Sequence, residues 1–295
     1  MAVTDVGVAA GGLGKTVAAA IVQFNKAAVA PPTITMVPAP SGSNTVAIPV
    51  YSKVAVGSVQ NSASGAEETT GSAASITTAA VSLEVLRNNI FAQVTDLAAH
   101  GNSDALMVNA GRILGNAVAA EFDNHVCNLL DNFATTAGAA TTTLNFNQVM
   151  DAVASLEKND APRPYSAVLH PLQVWGSFGI SAEVGTTVSE QSLGAFSGGS
   201  SVGDDFRRAG FVTTIGGVNF YTSPQVIGSS DHHTGAIFAK TALGCGYIDF
   251  GGGNFIQLEQ QRQAQEAAQD IVANGYWAVA ETVDLHGVTL NTETS

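Results

Sequence analysis

The sequence predicts an α+β subunit in which a central lobe is inserted into a second lobe built around one long helix. Three observations carry this prediction. Asp104–Phe133 is a single amphipathic run without proline, the segments on either side alternate apolar and polar residues, and Asn145–Tyr247 opens with an amphipathic helix of its own before strands resume. Runs of period 3.6 predict helices and runs of period 2 predict strands. This order of elements is typical of an α+β fold.

The long helix is expected to cross the whole subunit. Ser103 is its predicted N-cap, and Gly138 lies beyond its predicted end. At 1.5 Å per residue the run would be roughly 45 Å long, which exceeds the diameter of a compact domain of about 150 residues. Its apolar residues are spaced by three, four or one, as on one buried stripe. The predicted core residues are Leu106, Ile113, Leu114, Val118, Phe122, Leu129 and Phe133.

Residues 1–45 are predicted to form an N-terminal arm. The apolar segment Thr16–Ala30 has helical character, and Pro31 and Pro32 end it. Thr33–Asn44 offers little to bury, so we expect it to run extended across a neighbouring molecule.

Residues 46–94 are predicted to form a projecting hairpin. Val46–Val56 and Ile76–Val94 alternate as strands do, whereas residues 57–75 between them are almost wholly polar or small. A connection of that length has no core of its own and is usually functional.

The inserted lobe is predicted to span residues 145–247. It lies in the sequence between the two parts of the lobe that holds the long helix, 95–144 and 248–295. Asn145 is expected to cap a helix that carries Phe146 and Leu156 on one face, and Pro171 suits the first turn of another helix. The strands predicted in this lobe are Tyr165–Leu169 and Ala236–Lys240, together with a tight hairpin of Phe211–Ile215 and Val218–Thr222. The strands predicted in residues 248–295 are Phe255–Arg262 and Tyr276–Leu290.

Composition indicates a protein that works as an assembly. Only 12% of its 295 residues are charged, about half the usual share for a soluble globular protein. A free monomer would need a more charged surface, so we expect other copies to cover much of it. The net charge is −13, and residues 1–66 hold three lysines against one aspartate. No basic cluster is present to grip phosphates, which argues against sequence-specific nucleic-acid binding.

The cysteines and apolar runs exclude several classes. Cys127 and Cys245 are far apart in the sequence, and Cys127 on the long helix is expected to be a small buried residue. Neither a disulfide framework nor a metal-ligand spacing is present. The apolar run Val17–Val22 is too short for a membrane span, and no basic region precedes a signal-like site. The cytoplasm is the predicted site of synthesis.

Three motifs mimic catalytic or binding sites, and none has the required context. Gly11–Thr16 resembles the end of a phosphate-binding loop, but Ala9 occupies the position of its first glycine. Gly199–Gly203 has the spacing of a serine-hydrolase elbow without the buried strand that must precede it. Asp231, His232 and His233 would need a further converging ligand to bind a metal. We therefore predict no catalysis, cofactor or metal.

Taken in order, the elements resemble those of the major capsid proteins of tailed double-stranded-DNA bacteriophages, the Hong Kong 97 fold. The arm, the hairpin with its Glu67–Glu68 tip and the run Asp104–Phe133 are similar to the family's N-terminal arm, extended loop and spine helix. The inserted lobe resembles the axial domain, and residues 95–144 and 248–295 resemble the peripheral domain. The segments that carry the axial resemblance are Phe146–Leu156, Pro164–Pro171 and Gly216–Pro224.

This resemblance implies hexamers and pentamers of an icosahedral or prolate head that encloses phage DNA. It also implies that the extended loop lies over a neighbouring subunit, and the residues expected to contact that subunit are Lys53, Gln60, Asn61, Glu67, Glu68 and Thr70. It implies a virion location, assembly in the host bacterial cytoplasm and a portal, and it allows a decoration protein. A separate scaffolding protein is expected, since the chain has no long charged helical prefix. Lys53 is the hairpin's single lysine and lies near its base, which argues against a lysine–asparagine crosslink.

Three other classes stay open. An encapsulin-type shell would share the fold but enclose protein cargo, and nuclease-protected DNA inside particles would separate the two. A hydrolase would depend on Ser201, and Ser201→Ala would test it. A tail-tube protein is disfavoured by the long helix and the two lobes.

Overall fold

The computed structural model describes most of the chain. Residues 96–108, 211–215 and 260 are described by their backbone alone. The described ranges are 18–24, 27–51, 78–177, 179–180, 211–215, 217–229, 231–250 and 255–294. Helices and sheets both contribute, which confirms the predicted α+β class.

The long helix, α1, spans Asp96–Cys127. Its 32 residues extend about 48 Å at 1.5 Å per residue. The helix begins before the predicted Asp104, and the predicted cap, Ser103, lies inside it. Thr95 occupies the N-cap position without a side-chain capping bond. The end of a paired strand at Thr95, rather than a capping residue, therefore sets the start of α1.

The helix also ends before the predicted Phe133. Beyond Cys127 the backbone bonds tighten to three-residue spacing, from Leu129 N–H to Val126 O (3.0 Å) and from Leu130 N–H to Cys127 O (3.1 Å). Leu130 and Phe133 are nevertheless buried. The apolar stripe therefore continues through this turn. This is why the sequence pattern predicted an end at Phe133, although the helix itself ends at Cys127.

The predicted core residues of α1 have different environments. Leu129 is half-buried, and the side chain of Leu106 is outside the described residues. Ile113 is 67% exposed, so the prediction that it is buried is wrong. It is adjacent to Leu114 in the helix and projects about 100° away from the buried stripe. The residues of the predicted set that are buried in one cluster are Leu114, Val118, Phe122 and Phe133.

The first sheet packs against α1. Its longest strand, β12, pairs with β4, β10 and β11, and β1 joins β10 in parallel. Ile271, Ala273 and Trp277 of β12 belong to the same core cluster as the helix. The strands of this sheet are β1 (Thr35–Pro38), β4 (Leu86–Thr95), β10 (Leu243–Tyr247), β11 (Ile256–Gln263) and β12 (Ala268–Glu281).

The second sheet has six strands in the order β5-β13-β9-β6-β8-β7. One face contributes Val168, Ala236 and Phe238 to the α1 core, and the other face holds a separate core with helix α2 (Phe146–Lys158). The strands are β5 (Thr136–Ala137), β6 (Tyr165–Leu169), β7 (Phe211–Ile215), β8 (Val218–Thr222), β9 (His232–Ala239) and β13 (Gly287–Glu293).

The helices of the second lobe begin where the sequence predicts. Helix α2 (Phe146–Lys158) starts with a capping box between Asn145 and Gln148, and the short α3 (Pro171–Trp175) has proline in its first turn. A 3-10 turn, Asp284–His286, precedes β13. Within the described ranges, no helix is both long and apolar enough to cross a membrane.

The projecting hairpin is a two-stranded sheet of β2 (Thr45–Tyr51) and β3 (Thr78–Glu84). β4 was predicted to belong to this hairpin, residues 46–94, and that assignment is wrong because β4 pairs along its whole length with β12. The alternation of a strand indicates which side is buried but not which strand is its partner.

Three further assignments of strands to lobes need correction. β10 falls inside the predicted axial range, 145–247, but belongs to the first sheet. β13 falls inside the predicted peripheral return, 248–295, but pairs with β9 in the second sheet. β1, within the arm, pairs with β10 of its own chain rather than requiring a neighbour. These are all pairings between segments distant in sequence.

Candidate subunit-contact surfaces

The base of the hairpin lies on the face of the first sheet opposite α1. Alternate residues of β12 face opposite ways, so Trp277 packs with α1 while Tyr276 and Ala278 pack with the hairpin. Val46 and Ile48 of β2 are buried there. The hairpin is therefore anchored at one end by apolar contacts to its own subunit.

The other end of the hairpin leaves this core. Tyr51 pairs with Thr78 at the last described position of the stem, and the Tyr51 side chain is 68% exposed. All the residues predicted to contact a neighbouring subunit lie in 52–77, outside the described residues: Lys53, Gln60, Asn61, Glu67, Glu68 and Thr70.

The N-terminal segment is fastened to α1 by a buried carboxylate. Asp123 is 3% exposed and accepts hydrogen bonds from the backbone N–H groups of Val29 (2.9 Å) and Ala30 (2.9 Å). Burial raises the pKa of Asp123 to about 6, partly opposed by these two hydrogen bonds. Nearby, a Cβ on Gly115 would overlap the carbonyl oxygen of Ala20, so this glycine lets residues 18–24 lie close to the helix.

Asp123→Ala is expected to loosen the N-terminal segment. It leaves two buried N–H donors without an acceptor, and each orphaned group costs about 1–3 kcal/mol. Hydrogen exchange at Val29 and Ala30 should accelerate, while exchange in β12 should not change. Asp131→Ala, which alters an exposed aspartate near the end of the same helix, is the matched control. Equal exchange in the two variants would contradict this anchoring role.

His125 has the structural environment that is usual for a histidine on a core helix. Its Nδ1 accepts from Trp277 Nε1–H at 3.0 Å, and its Nε2 lies 3.1 Å from a Glu121 oxygen. Both of these partners, Trp277 and Glu121, line a cleft of about 310 Å³ between β4 and α1. Its lining residues are Arg87, Asn88, Asn89, Ile90, Val118, Glu121 and Trp277.

The candidate metal ligands Asp231, His232 and His233 do not converge on one point. His232 Nδ1 contacts Ser229 Oγ at 3.0 Å, while His233 Nδ1 contacts Thr294 Oγ1 at 2.9 Å. Among the residues that the structure describes, no group of three potential ligands could hold a metal ion.

The two buried thiols offer no nucleophile. Cys127 and Cys245 are free, and burial raises the pKa of each to about 12. A thiol with so high a pKa supplies almost no thiolate near neutral pH. The other two catalytic look-alikes, Gly11–Thr16 and Gly199–Gly203 with Ser201, lie outside the described residues.

His233 instead stacks on His170, with ring centroids 3.7 Å apart. His170 follows β6 and caps α3, its Nδ1 accepting from Leu172 N–H at 3.2 Å. Burial, and then the neighbouring His233, lowers the pKa of His170 to about 4, and burial also lowers the pKa of His233. The stack therefore connects β6, α3 and β9, and its bond to Thr294 connects them to the residue that follows β13. The lowered pKa values mean that both imidazoles are stable in the neutral form.

Acidification is expected to destabilise the second lobe through His170. A histidine whose folded-state pKa, about 4, lies below its unfolded value near 6.5 costs stability as pH falls through that interval, because the unfolded chain takes the proton first. His170→Asn keeps a capping acceptor for Leu172 N–H but does not titrate. Between about pH 7 and pH 4.5 the Tm of the wild type should fall more than that of the variant. Parallel Tm curves would show that the stack does not titrate in this way.

Several large apolar side chains remain exposed in the separate subunit. On β4, Leu86 is 62% exposed and Phe91 is 65% exposed. Ile113 on α1 and Tyr51 on the hairpin are exposed to a similar degree. Leu86 and Phe91 are five positions apart and therefore face opposite sides of β4, so the strand presents an uncovered large apolar side chain on each of its two faces.

Comparison with known proteins relates this arrangement to capsid structures. No family model and no curated protein matches the sequence. The capsid of Ralstonia phage GP4 matches with a TM-score of 0.70 at 10% identity, over 92% of each chain. A structure of Mycobacterium phage Che8 matches with a TM-score of 0.56 at 17% identity, over 85% of each chain. The chain has the Hong Kong 97 fold.

The chain is also similar in fold to an encapsulin. The holo-SrpI encapsulin complex from Synechococcus elongatus PCC 7942 matches with a TM-score of 0.60 at 12% identity, over 89% of this chain and 86% of that one. At these identities the likeness extends to the fold and not to the cargo. In the terms of the Hong Kong 97 fold, α1 is the spine helix and the β2–β3 hairpin is the extended loop.

Sequence reasoning missed three features of this fold. It did not identify Asp123 as an anchor, the His170–His233 stack, or the close packing of β2 on β10. Two of them have a local signal: Asp123 follows Phe122 on the apolar stripe, and glycine at alternate positions of a strand, as in β10, indicates close approach by another segment. The histidine stack has none, because it joins separate strands.

Proposed function

We propose that this protein is the major capsid protein of a tailed double-stranded-DNA bacteriophage, which assembles into hexamers and pentamers of a closed head. The observation that carries the proposal is the match to the capsid of Ralstonia phage GP4 over 92% of both chains. The proposed role is structural rather than enzymatic. A separate scaffolding protein and a portal would be its partners, and the proposal also allows a decoration protein.

The subunit's surface supports assembly. Charged residues are only 12% of the chain, and large apolar side chains of β4, α1 and the extended loop remain uncovered. A standard interface between two proteins buries about 1,600 Å², and a shell subunit has several such interfaces. Individually weak contacts are sufficient because many copies act together.

The charge distribution supports a container for DNA rather than a specific DNA-binding protein. The net charge is −13, so the chain as a whole repels phosphates. DNA would be held by confinement inside the shell and not by base-specific contacts. The capsid would assemble in the host cytoplasm before the virion is released.

An encapsulin-type nanocompartment is the second candidate, and the match to the SrpI encapsulin complex favours it. The two candidates share the shell and differ in what it holds. A protein cargo, rather than nucleic acid, would identify the nanocompartment.

Electron microscopy of the purified chain tests the shared part of the proposal, and the expected result is closed particles. Particles isolated from the cells that naturally make the chain then separate the two candidates. Nuclease-protected double-stranded DNA supports the phage capsid, and protein cargo supports the nanocompartment. A compact monomer that forms no cages at any concentration would overturn both.

A further inference from the structure

The extended loop rests on a patch of small residues on the first sheet, here called the small-residue patch and defined as Gly244, Gly246, Ala278 and Ala280. In the register of β10 and β12, Gly244 pairs with Ala280 and Gly246 pairs with Ala278. Cys245, between the two glycines, faces the core beneath the sheet. Both positions of β10 that face the extended loop therefore lack a side chain.

Space, and not backbone conformation, accounts for these two glycines. A Cβ on Gly246 would lie 2.9 Å from Cβ and Cγ2 of Val46, well inside the usual carbon–carbon separation of about 3.5–4.0 Å. A Cβ on Gly244 would overlap Cδ1 of Ile48 and lie 2.9 Å from Cγ2 of Thr282. Within the part of the chain that the structure describes, the glycines with positive φ are elsewhere, at Gly42, Gly138 and Gly217.

The two contacts lie at different points along β2. Val46 and Ile48 are both buried and are two residues apart on the same face of the strand, a separation of about 6.8 Å. Val46 is branched at Cβ and has little rotamer freedom. An added methyl at position 246 must therefore displace the backbone of β2, whereas Ile48 can partly yield by moving its terminal methyl group.

We infer that the small-residue patch sets the direction in which the extended loop leaves the subunit, and so determines the geometry of the shell. This inference rests on the proposed function. A shift of about 1 Å at Val46, with Ile48 held, tilts the stem by roughly 8° over that 6.8 Å spacing. The resulting displacement grows with distance from Ile48 along the stem, toward its last described pair, Tyr51 and Thr78.

The geometry gives the two glycines opposite effects. Gly246→Ala lifts the base end of β2 and tilts the outer end toward the sheet. Gly244→Ala lifts the outer end instead, away from the sheet. Both changes alter the angle of the extended loop while leaving the α1 core, on the other face of the sheet, as it is.

Particle assembly by the purified chain tests this inference. In Gly246→Ala, the fraction of protein in closed particles of wild-type diameter should fall by roughly tenfold, because a small loss at each contact is repeated over many subunits. Gly246→Ala combined with Val46→Gly removes the Cβ and both methyl groups of residue 46 that the new methyl would meet, and should restore wild-type particles. Ala47→Ser, on the exposed side of the same strand, is the matched control and should assemble normally.

Hydrogen exchange of the unassembled subunits separates a tilted stem from a misfolded chain. Exchange should accelerate at the amides of Val46 and Ile48 in Gly246→Ala and stay unchanged in β9. Should Gly246→Ala fail to fold, Val46→Ala alone provides the test, since the space left under the stem should broaden the distribution of particle diameters. If the wild type forms particles and every folded variant forms particles of the same diameter, the inference is overturned. A wild type that forms no particles would instead overturn the proposed function.

Discussion

Phe122→Asp is expected to prevent the subunit from folding. Phe122 is fully buried at the centre of an aromatic cluster, with ring centroids 5.3 Å from Phe255, 5.6 Å from Trp277 and 6.2 Å from Phe24. Loss of a buried Phe costs about 3–5 kcal/mol, and an unpaired carboxylate in its place adds several more. Since domains are stable by only about 5–15 kcal/mol, the variant should yield little soluble protein.

The matched control for this prediction is Ile113→Asp. Ile113 lies on the same helix but is exposed, so the new carboxylate stays in water and the soluble yield and circular dichroism should match the wild type. Leu114→Asp, one residue further along, should fail as Phe122→Asp does, because Leu114 is buried. Near-normal soluble yield and assembly of Phe122→Asp or Leu114→Asp would show that this face of α1 is not the core of the subunit.

Deletion of Gln60–Thr70 is expected to leave a folded subunit that cannot close shells. The deleted residues lie between the paired stem ends Tyr51 and Thr78, so the strand register and the apolar base on the first sheet are retained. Shortening such a connection changes its closure entropy only slightly. The Tm of the unassembled subunit should therefore stay close to that of the wild type, while closed particles disappear from electron micrographs.

A second variant separates the length of the extended loop from its chemistry. Replacement of Gln60–Thr70 by a glycine–serine segment of equal length keeps the reach of the loop but removes Glu67 and Glu68. If specific contacts matter, this variant should assemble as poorly as the deletion. Normal particles from the deletion would refute the proposed role of these residues.

Sequence patterns that lie within a single segment correctly predicted the helix or hairpin formed by that segment. The N-cap at Asn145, the first-turn Pro171 and the hairpin of β7 and β8 are found where the sequence places them. In each case the determining groups lie within a few residues of one another. The long helix was also found, although its ends at Asp96 and Cys127 depend on a strand before it and a buried turn after it.

The order of elements, the presence of one long amphipathic helix and the shortage of surface charge were decided by the sequence alone, since each depends on local periodicity or on composition. Tertiary structure alone decided which strands pair, as β4 with β12 and β13 with β9 show. It also decided where the stem of the extended loop packs, because Gly246 and Val46 meet across a distance that no local pattern encodes. A strand's hydrogen-bonding edges are nearly alike in every strand, so its partner is selected by the packing of side chains that only the folded chain brings together.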